Sequence, residues 1–214
     1  ICIMNKIFSV FFLMIVTLSL GAQTSDPKAK TIVDKAIAQL YKTPSKFDFT
    51  TTYIAGNTNQ KEVQKGVCAI NGKKAYISLA GMETFFDGKT QWVYVKANNE
   101  VSISEPTAQE QKEMNPLMMI RGYEKTHRVA FDETTNDPTV WYLFLYPTVS
   151  KKVDYFRIRL SIDKNTSQLK KIEFSQRNAD KLIFTIQKQQ PIKDVAIFTF
   201  DKSRYPKVEL NDLR

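Results

Sequence analysis

The chain has 214 residues, 43% of them apolar and 12% aromatic, which is ample for one substantial core and excludes a disordered chain. Its formal net charge is +9, yet the 31 basic and 22 acidic residues are interspersed, with no polybasic arm of the kind that binds nucleic acid. The excess is read either as a solvated basic surface or as attraction to an anionic membrane or an acidic partner.

At the amino terminus Lys6 supplies a positive start, Ile7 to Leu20 an apolar stretch and Leu20-Gly21-Ala22 a small-residue exit. The apolar stretch is short for a membrane span. Residues 1–22 are therefore expected to be a signal peptide cleaved near Ala22–Gln23, with residues 1–3 upstream of a start at Met4, and residues 23–214 a single exported domain. Gln23 stands where a lipid-anchored protein would carry cysteine, so no lipid anchor is expected. Cys68 is then the sole cysteine of the mature chain, and His127 is its sole histidine. Neither an intramolecular disulfide nor a metal site is expected from that set, and no cofactor.

Ser25 or Asp26 can cap a helix that has Pro27 in its first turn. Ile32, Val33, Ala36, Ile37, Leu40 and Tyr41 recur at helical spacing, and Thr43-Pro44 ends the run. Strands follow. Phe47, Phe49, Thr51 and Tyr53 alternate along 46–55, and a second strand runs from Val63 to Ile70. Asn71-Gly72, Ala80-Gly81, Asp87-Gly88 and Asn98-Asn99 punctuate further short strands at 73–79, 82–86, 90–95 and 100–104. Short strands and tight turns predict an antiparallel meander.

Glu105-Pro106 stops the meander, and a polar, helix-compatible stretch from Thr107 leads to Met114-Asn115-Pro116-Leu117-Met118-Met119-Ile120. Three of the six methionines lie in this run. Methionine is flexible and suits a surface that accepts varied apolar shapes, so the run is either a plug for the core or a lid over a cavity. Strands resume at 128–134, 140–146, 155–163, 169–177, 181–190 and 195–200. Val140 to Tyr146 is apolar on both faces and reads as a central strand. In Tyr155 to Asp163, Phe156, Ile158, Leu160 and Ile162 face one way. Roughly ten or eleven strands predict one strongly curved sheet or an open barrel.

Catalytic signatures are missing. There is no Gly-rich phosphate loop and no Gly-x-Ser-x-Gly elbow. His127 reads as an exposed strand-end residue, Cys68 as a small core or cavity residue, and Asp87 and Asp132 as turn carboxylates serving the backbone. What is left is apolar surface. Phe47, Phe49, Tyr53, Tyr76, Phe85, Phe86, Trp92, Tyr94, Trp141 and Phe144 either line a cavity or fill a plain core.

At this point four motifs carry a resemblance. Phe85-Phe86-Asp87-Gly88-Lys89-Thr90-Gln91-Trp92-Val93-Tyr94 resembles the Asp-Gly-Lys-Thr-x-Trp-x-Tyr strand pair of the outer-membrane lipoprotein carrier proteins (LolA-like), and Glu100 to Ser104 follows as in that family. Asn115 to Ile120 is similar to the family's lid helix, and Phe198-Thr199-Phe200 through Asp212-Leu213-Arg214 to its carboxyl-terminal ending. The resemblance implies an α+β fold, an unclosed antiparallel β-barrel with an amino-terminal helix and a short helical lid over an apolar cavity. The expected cavity and lid residues are Phe47, Phe49, Tyr53, Tyr76, Phe86, Trp92, Tyr94, Met114, Leu117, Met118, Met119, Ile120, Trp141 and Phe144. It implies a monomeric periplasmic carrier, not an enzyme, that takes acylated lipoproteins from an inner-membrane lipoprotein-releasing ABC transporter and delivers them to an outer-membrane acceptor. Two other functions stay open: a periplasmic module that senses lipid or lipoprotein, and an exported hydrolase with an unrecognised site. One departure stands out. The arginine that latches the lid in such carriers would fall near Asn71-Gly72, where this chain has a tight turn; Arg121, beside the lid, is the candidate substitute.

Overall fold

The computed structural model describes residues 24–113, 116–149, 153–192 and 194–214. The signal-peptide reading of residues 1–22 lies outside the described residues, as do Met114 and Asn115 of the expected lid.

Helix α1 spans Pro27–Leu40. The Asp26 side chain accepts from the Ala29 N–H at 2.8 Å, satisfying one of the donors that every helix start leaves open. Its buried face is Ala29, Val33, Ala36 and Leu40, at the spacing the sequence predicts. The start of α1 is tied down at Val129, whose carbonyl accepts from the Asp26 N–H at 2.9 Å and whose N–H donates to Ser25 Oγ at 3.0 Å.

The strands are β1 (Ser45–Ile54), β2 (Lys61–Asn71), β3 (Lys74–Leu79), β4 (Met82–Phe86), β5 (Gln91–Val95), β6 (Glu100–Ser104), β7 (His127–Phe131), β8 (Val140–Pro147), β9 (Tyr155–Asp163), β10 (Leu169–Gln176), β11 (Lys181–Pro191) and β12 (Glu209–Asp212). All belong to one unclosed sheet in the order β12-β6-β5-β4-β3-β2-β1-β11-β10-β9-β8-β7. The hairpin signals lie where expected, with Ala80 and Gly81 at φ 52° and 80° in the β3–β4 turn. The β2–β3 turn is centred on Gly72-Lys73, one residue past the Asn-Gly signal, because Asn71 pairs with Lys74.

Four expectations are corrected. The sheet has twelve strands among the described residues, since residues 209–212 add a strand parallel to β6. Val195–Phe198 forms a 3-10 helix instead of a strand; Asp194 caps it by accepting from the Ala196 N–H at 2.8 Å, and Phe198 is driven into the sheet. Strand β8 is second from an edge, not central. It is nonetheless covered on both faces at Leu143, Phe144 and Leu145, because the Arg157 guanidinium lies 4.5 Å over the Phe144 ring. Finally, the β9–β10 register slips at Ser175/Gln176, which pairs Tyr155 with Gln176 and leaves Phe156 42% exposed.

The order of strands fixes the crossover. Strands β1 to β6 run outward to one side of β1; β7 starts at the opposite edge and the chain works back to β11, beside β1. Residues 105–126 must therefore cross from one end of the sheet to the other. They hold α2 (Ala108–Glu113), α3 (Pro116–Met119) and a 3-10 helix, Tyr123–Lys125. The inner face carries α1 and this crossover; the outer face of β3 and β4 carries the 3-10 helix Val195–Phe198.

Gly66 on β2 shows how tightly the inner face is made. It pairs with Phe49, whose ring stacks on Phe184 at 4.3 Å. A Cβ at Gly66 would stand 2.5 Å from Phe49 Cζ and 2.7 Å from the Ser78 carbonyl oxygen. Gly66→Ala is expected to unseat Phe49 and destabilise the fold by about 1–3 kcal/mol, read as a lower urea midpoint at unchanged slope.

Candidate functional site

Strand register sorts the expected site residues into groups. Phe47, Phe49 and Tyr53 alternate onto the inner face of β1. Phe49 and Tyr53 line an open-mouthed cavity of about 450 Å³, together with Ile77, Leu79, Phe174, Leu182 and Phe184. Pro116 and Met119 of the crossover form its upper wall, and Tyr155 and Asp154 one side. The floor is dry: Phe49, Phe174 and Phe184 are 2%, 4% and 0% exposed. A volume of this size falls within the range of small-molecule sites.

The other expected residues stand elsewhere. Phe47, Leu117 and Ile120 are buried in the main core between α1, the crossover and the sheet. Trp141 packs against that core from the β8 end, with Lys164 Nζ 4.3 Å above its ring. Phe86 and Met118 form a small second cluster with Ala75. Tyr76, Trp92, Tyr94 and Phe144 lie on the outer face, away from the cavity. Register makes this plain for Tyr76, which pairs with Phe85, and for Trp92, which pairs with Phe85 from the other side. Tyr94 shares Trp92's face and meets Tyr205 at 4.5 Å. Met114 lies outside the described residues.

On that outer face, rings pair with rings or with arginine. Phe85 meets Phe200 at 5.7 Å, so the carboxyl-terminal segment covers β3 to β5. Arg128, Arg157 and Arg159 lie 4.2–4.5 Å over Tyr146, Phe144 and Tyr142. Asp132 is buried and bonds Arg159 at 2.6 Å as well as the Thr134 backbone, so it does more than serve a turn. Burial pushes its carboxyl up, but the Thr134 hydrogen bonds and the Arg159 charge hold it below the ordinary range.

The crossover is held by a short list of bonds. Arg121 Nη1 donates to the Gly72 carbonyl at 2.6 Å, and its guanidinium lies 4.8 Å from the Tyr41 ring centroid. The Tyr41 hydroxyl donates to the Leu117 carbonyl at 3.0 Å, and burial pushes that hydroxyl up to about 12. Arg121 thus reaches the same β2–β3 turn where the family resemblance places an arginine, but from the crossover side. Tyr123 is the deep anchor. It is 1% exposed, and its hydroxyl donates to Asp34 Oδ1 of α1 at 2.8 Å.

Tyr155, Ile77, Leu79, Phe174, Leu182 and Phe184 line the cavity, and Tyr123 anchors the crossover, without standing out in the sequence. Cross-strand pairing was the signal for two of them: Phe184 opposes Thr51 and Leu182 opposes Tyr53, so both share the inner face of β1.

His127 is corrected too. It opens β7 on the inner-facing side and is 7% exposed, since Val129 two residues on is fully buried on that face. Its Nε2 and the Tyr155 hydroxyl share a hydrogen bond at 3.0 Å, and Nδ1 is 2.8 Å from Thr126 Oγ1. The rings of His127 and Tyr155 are parallel within 3°. His127 therefore supports one wall of the cavity. Burial holds its imidazole below the ordinary value of 6.5.

That depression sets a sign for pH dependence. Below about pH 6.5 the unfolded chain takes up a proton that the fold resists, so stability should fall as pH drops through the window just below that value. Above it both states are neutral and the effect vanishes. With one histidine in the chain, His127→Gln should flatten the slope of the urea midpoint between about pH 5 and 7.

Comparison with known proteins agrees with this architecture. The family model described as "Outer membrane lipoprotein carrier protein LolA" matches residues 18–173. Curated proteins gave no significant match. Among solved structures, an uncharacterized conserved protein from Thermus thermophilus superposes with a TM-score of 0.54 at 11% identity, over 86% of this chain and 99% of that one. At that identity the likeness establishes a shared fold. A LolA superfamily protein from Nitrosomonas europaea matches with a TM-score of 0.46 at 10% identity, over 81% and 98%. LprF from Mycobacterium bovis matches with a TM-score of 0.42 at 9% identity, over 79% and 97%.

Proposed function

The chain belongs to the outer membrane lipoprotein carrier protein LolA family, and from that membership we propose that it is a periplasmic carrier for the acyl chains of lipoproteins. The observation that carries the reading is the cavity beneath the crossover: a dry aromatic floor, a methionine in the upper wall and an open mouth. In this reading an inner-membrane ABC transporter loads the acyl chains, the single exported domain of residues 23–214 ferries them as a monomer, and an outer-membrane acceptor receives them. No helix among the described residues is long and apolar enough to cross a membrane.

The work is reversible burial, with no covalent step. Each acyl methylene moved from water into the cavity is worth about 0.8 kcal/mol. Aqueous transit is thereby made cheap, while every methylene must still be released at the far side. Loading needs the crossover to yield. Its exposed hold is the Arg121 bond to Gly72; the Tyr41 bond to Leu117 and the Tyr123 bond to Asp34 lie further in. Pro116 and Met119, half-buried at the cavity, are the part of α3 best placed to yield, while Leu117, Met118 and Ile120 hold it to the core.

Native mass spectrometry of freshly purified protein should show lipid or lipopeptide adducts. Met119→Asp should lose them with the fold intact, because Met119 is half-buried at the cavity whereas Met118 is packed on Ala75 and Phe86. Absence of adducts, together with no uptake of an acylated peptide, would sink the carrier reading. Binding without transfer to acceptor membranes would point instead to a sensing module.

Arg121→Ala removes an exposed charge-assisted bond and a ring contact. It should weaken closure by about 1 kcal/mol and speed both uptake and release of a fluorescent acyl probe several-fold in stopped flow. Unchanged rates would show that Arg121 does not hold the crossover.

A further inference from the structure

The cavity is charged oppositely to the protein around it. The chain carries +9, yet the described residues lining the cavity include Glu62 and Asp154 and no lysine or arginine. Both carboxylates are exposed, and neither joins an ion pair among the described residues. A third carboxylate, Asp180, sits at the same end. Its bonds are all from neutral donors: the Tyr53 hydroxyl at 2.5 Å, the Gly56 N–H at 2.8 Å and Asn178 Nδ2 at 2.7 Å.

Strand geometry keeps the lysines of β2 off this rim. Lys61 and Lys65 alternate with Glu62 and Gln64 along β2, which places them on the outer face. Lys181 turns to Glu173 at 3.7 Å; Arg177 stands beside Asp154 and gives its guanidinium to the Val153 carbonyl at 3.3 Å, forming no ion pair with the Asp154 carboxylate. An amphiphile seated here sets its alkyl end against Phe49 and Phe184 and its polar end beside Glu62 and Asp154. An anionic head would meet two carboxylates that no ion pair among the described residues engages, and a cationic head could pair with them.

Resting on the reading of this cavity as an acyl-chain site, we propose that Glu62 and Asp154 make it selective for amphiphiles with a cationic polar end, such as an acylated peptide bearing a free amine or a basic residue, and set it against anionic lipids. The consequence for a carrier is direct. Bulk anionic lipid is refused even though the protein's overall charge draws it to anionic surfaces.

The test uses three single-chain probes of equal alkyl length below their micelle concentrations: dodecylammonium, laurate and dodecyl maltoside. Each displaces N-phenyl-1-naphthylamine from the purified protein at low salt. Dodecylammonium should bind roughly five- to tenfold more tightly than laurate. Glu62→Gln with Asp154→Asn, both exposed and expected to fold, should bring that ratio to about twofold or less, with dodecyl maltoside unaffected. Net charge favours laurate, so a preference for the cation can come only from the local rim. Laurate binding as tightly as dodecylammonium, or a ratio that survives the double variant, would overturn the proposal. Failure of the acyl-chain reading looks different: none of the three probes, dodecyl maltoside included, would compete in a way that Met119→Asp abolishes.

Discussion

Everything in this molecule follows from the pairing of β1 with β11. That ladder joins residues 45–54 to residues 181–191 and sits in the middle of the sheet. Because the two halves of the chain grow outward from it in opposite directions, the segment between β6 and β7 has no route except across a face. The crossover is thus imposed by topology before any apolar side chain is considered. What the side chains decide is how firmly it lies down. Helix α3, at four residues, has no stability of its own and depends on Leu117 packing into the core.

The two faces of the sheet solve burial in different chemical ways. Inside, aliphatic and phenyl side chains interlock under α1, and one corner is left unfilled. Outside, Tyr142, Phe144 and Tyr146 lie under arginine, and Phe85 and Tyr94 under the carboxyl-terminal segment. A half-buried guanidinium covers a ring and still keeps contact with water, so an aromatic residue on this face is shielded without needing a second layer of helices.

Much of the architecture was legible in the sequence. Helix α1, the turn residues and strands β1 to β11 announce themselves through caps, hairpin dipeptides and period-two alternation. The choice of face did not. A strand apolar on both sides, such as β8, has no phase, and Phe144 could only be placed once Arg157 was known to cover it. The outward facing of Tyr76 and Tyr94 is hidden in the sequence because their cover, the segment around Tyr205, is far away along the chain. Strand β12 was hidden for the same reason: its four residues are exposed and owe their form to β6. His127 looked like a surface residue because its neighbours are charged, whereas one step of strand phase decides its burial.

The same β1–β11 ladder has a kinetic face. Loop closure becomes costlier as the loop grows, and few contacts in this chain span more sequence than these. The hairpins of β2 to β6 and of β7 to β11 can form early as two separate curved sheets, each with its apolar face open to water. Docking of β1 on β11 then closes the inner face in one late step. Before that step there is neither floor nor crossover, so a newly made chain would expose its apolar surface before it has a cavity, for an interval set by its longest loop.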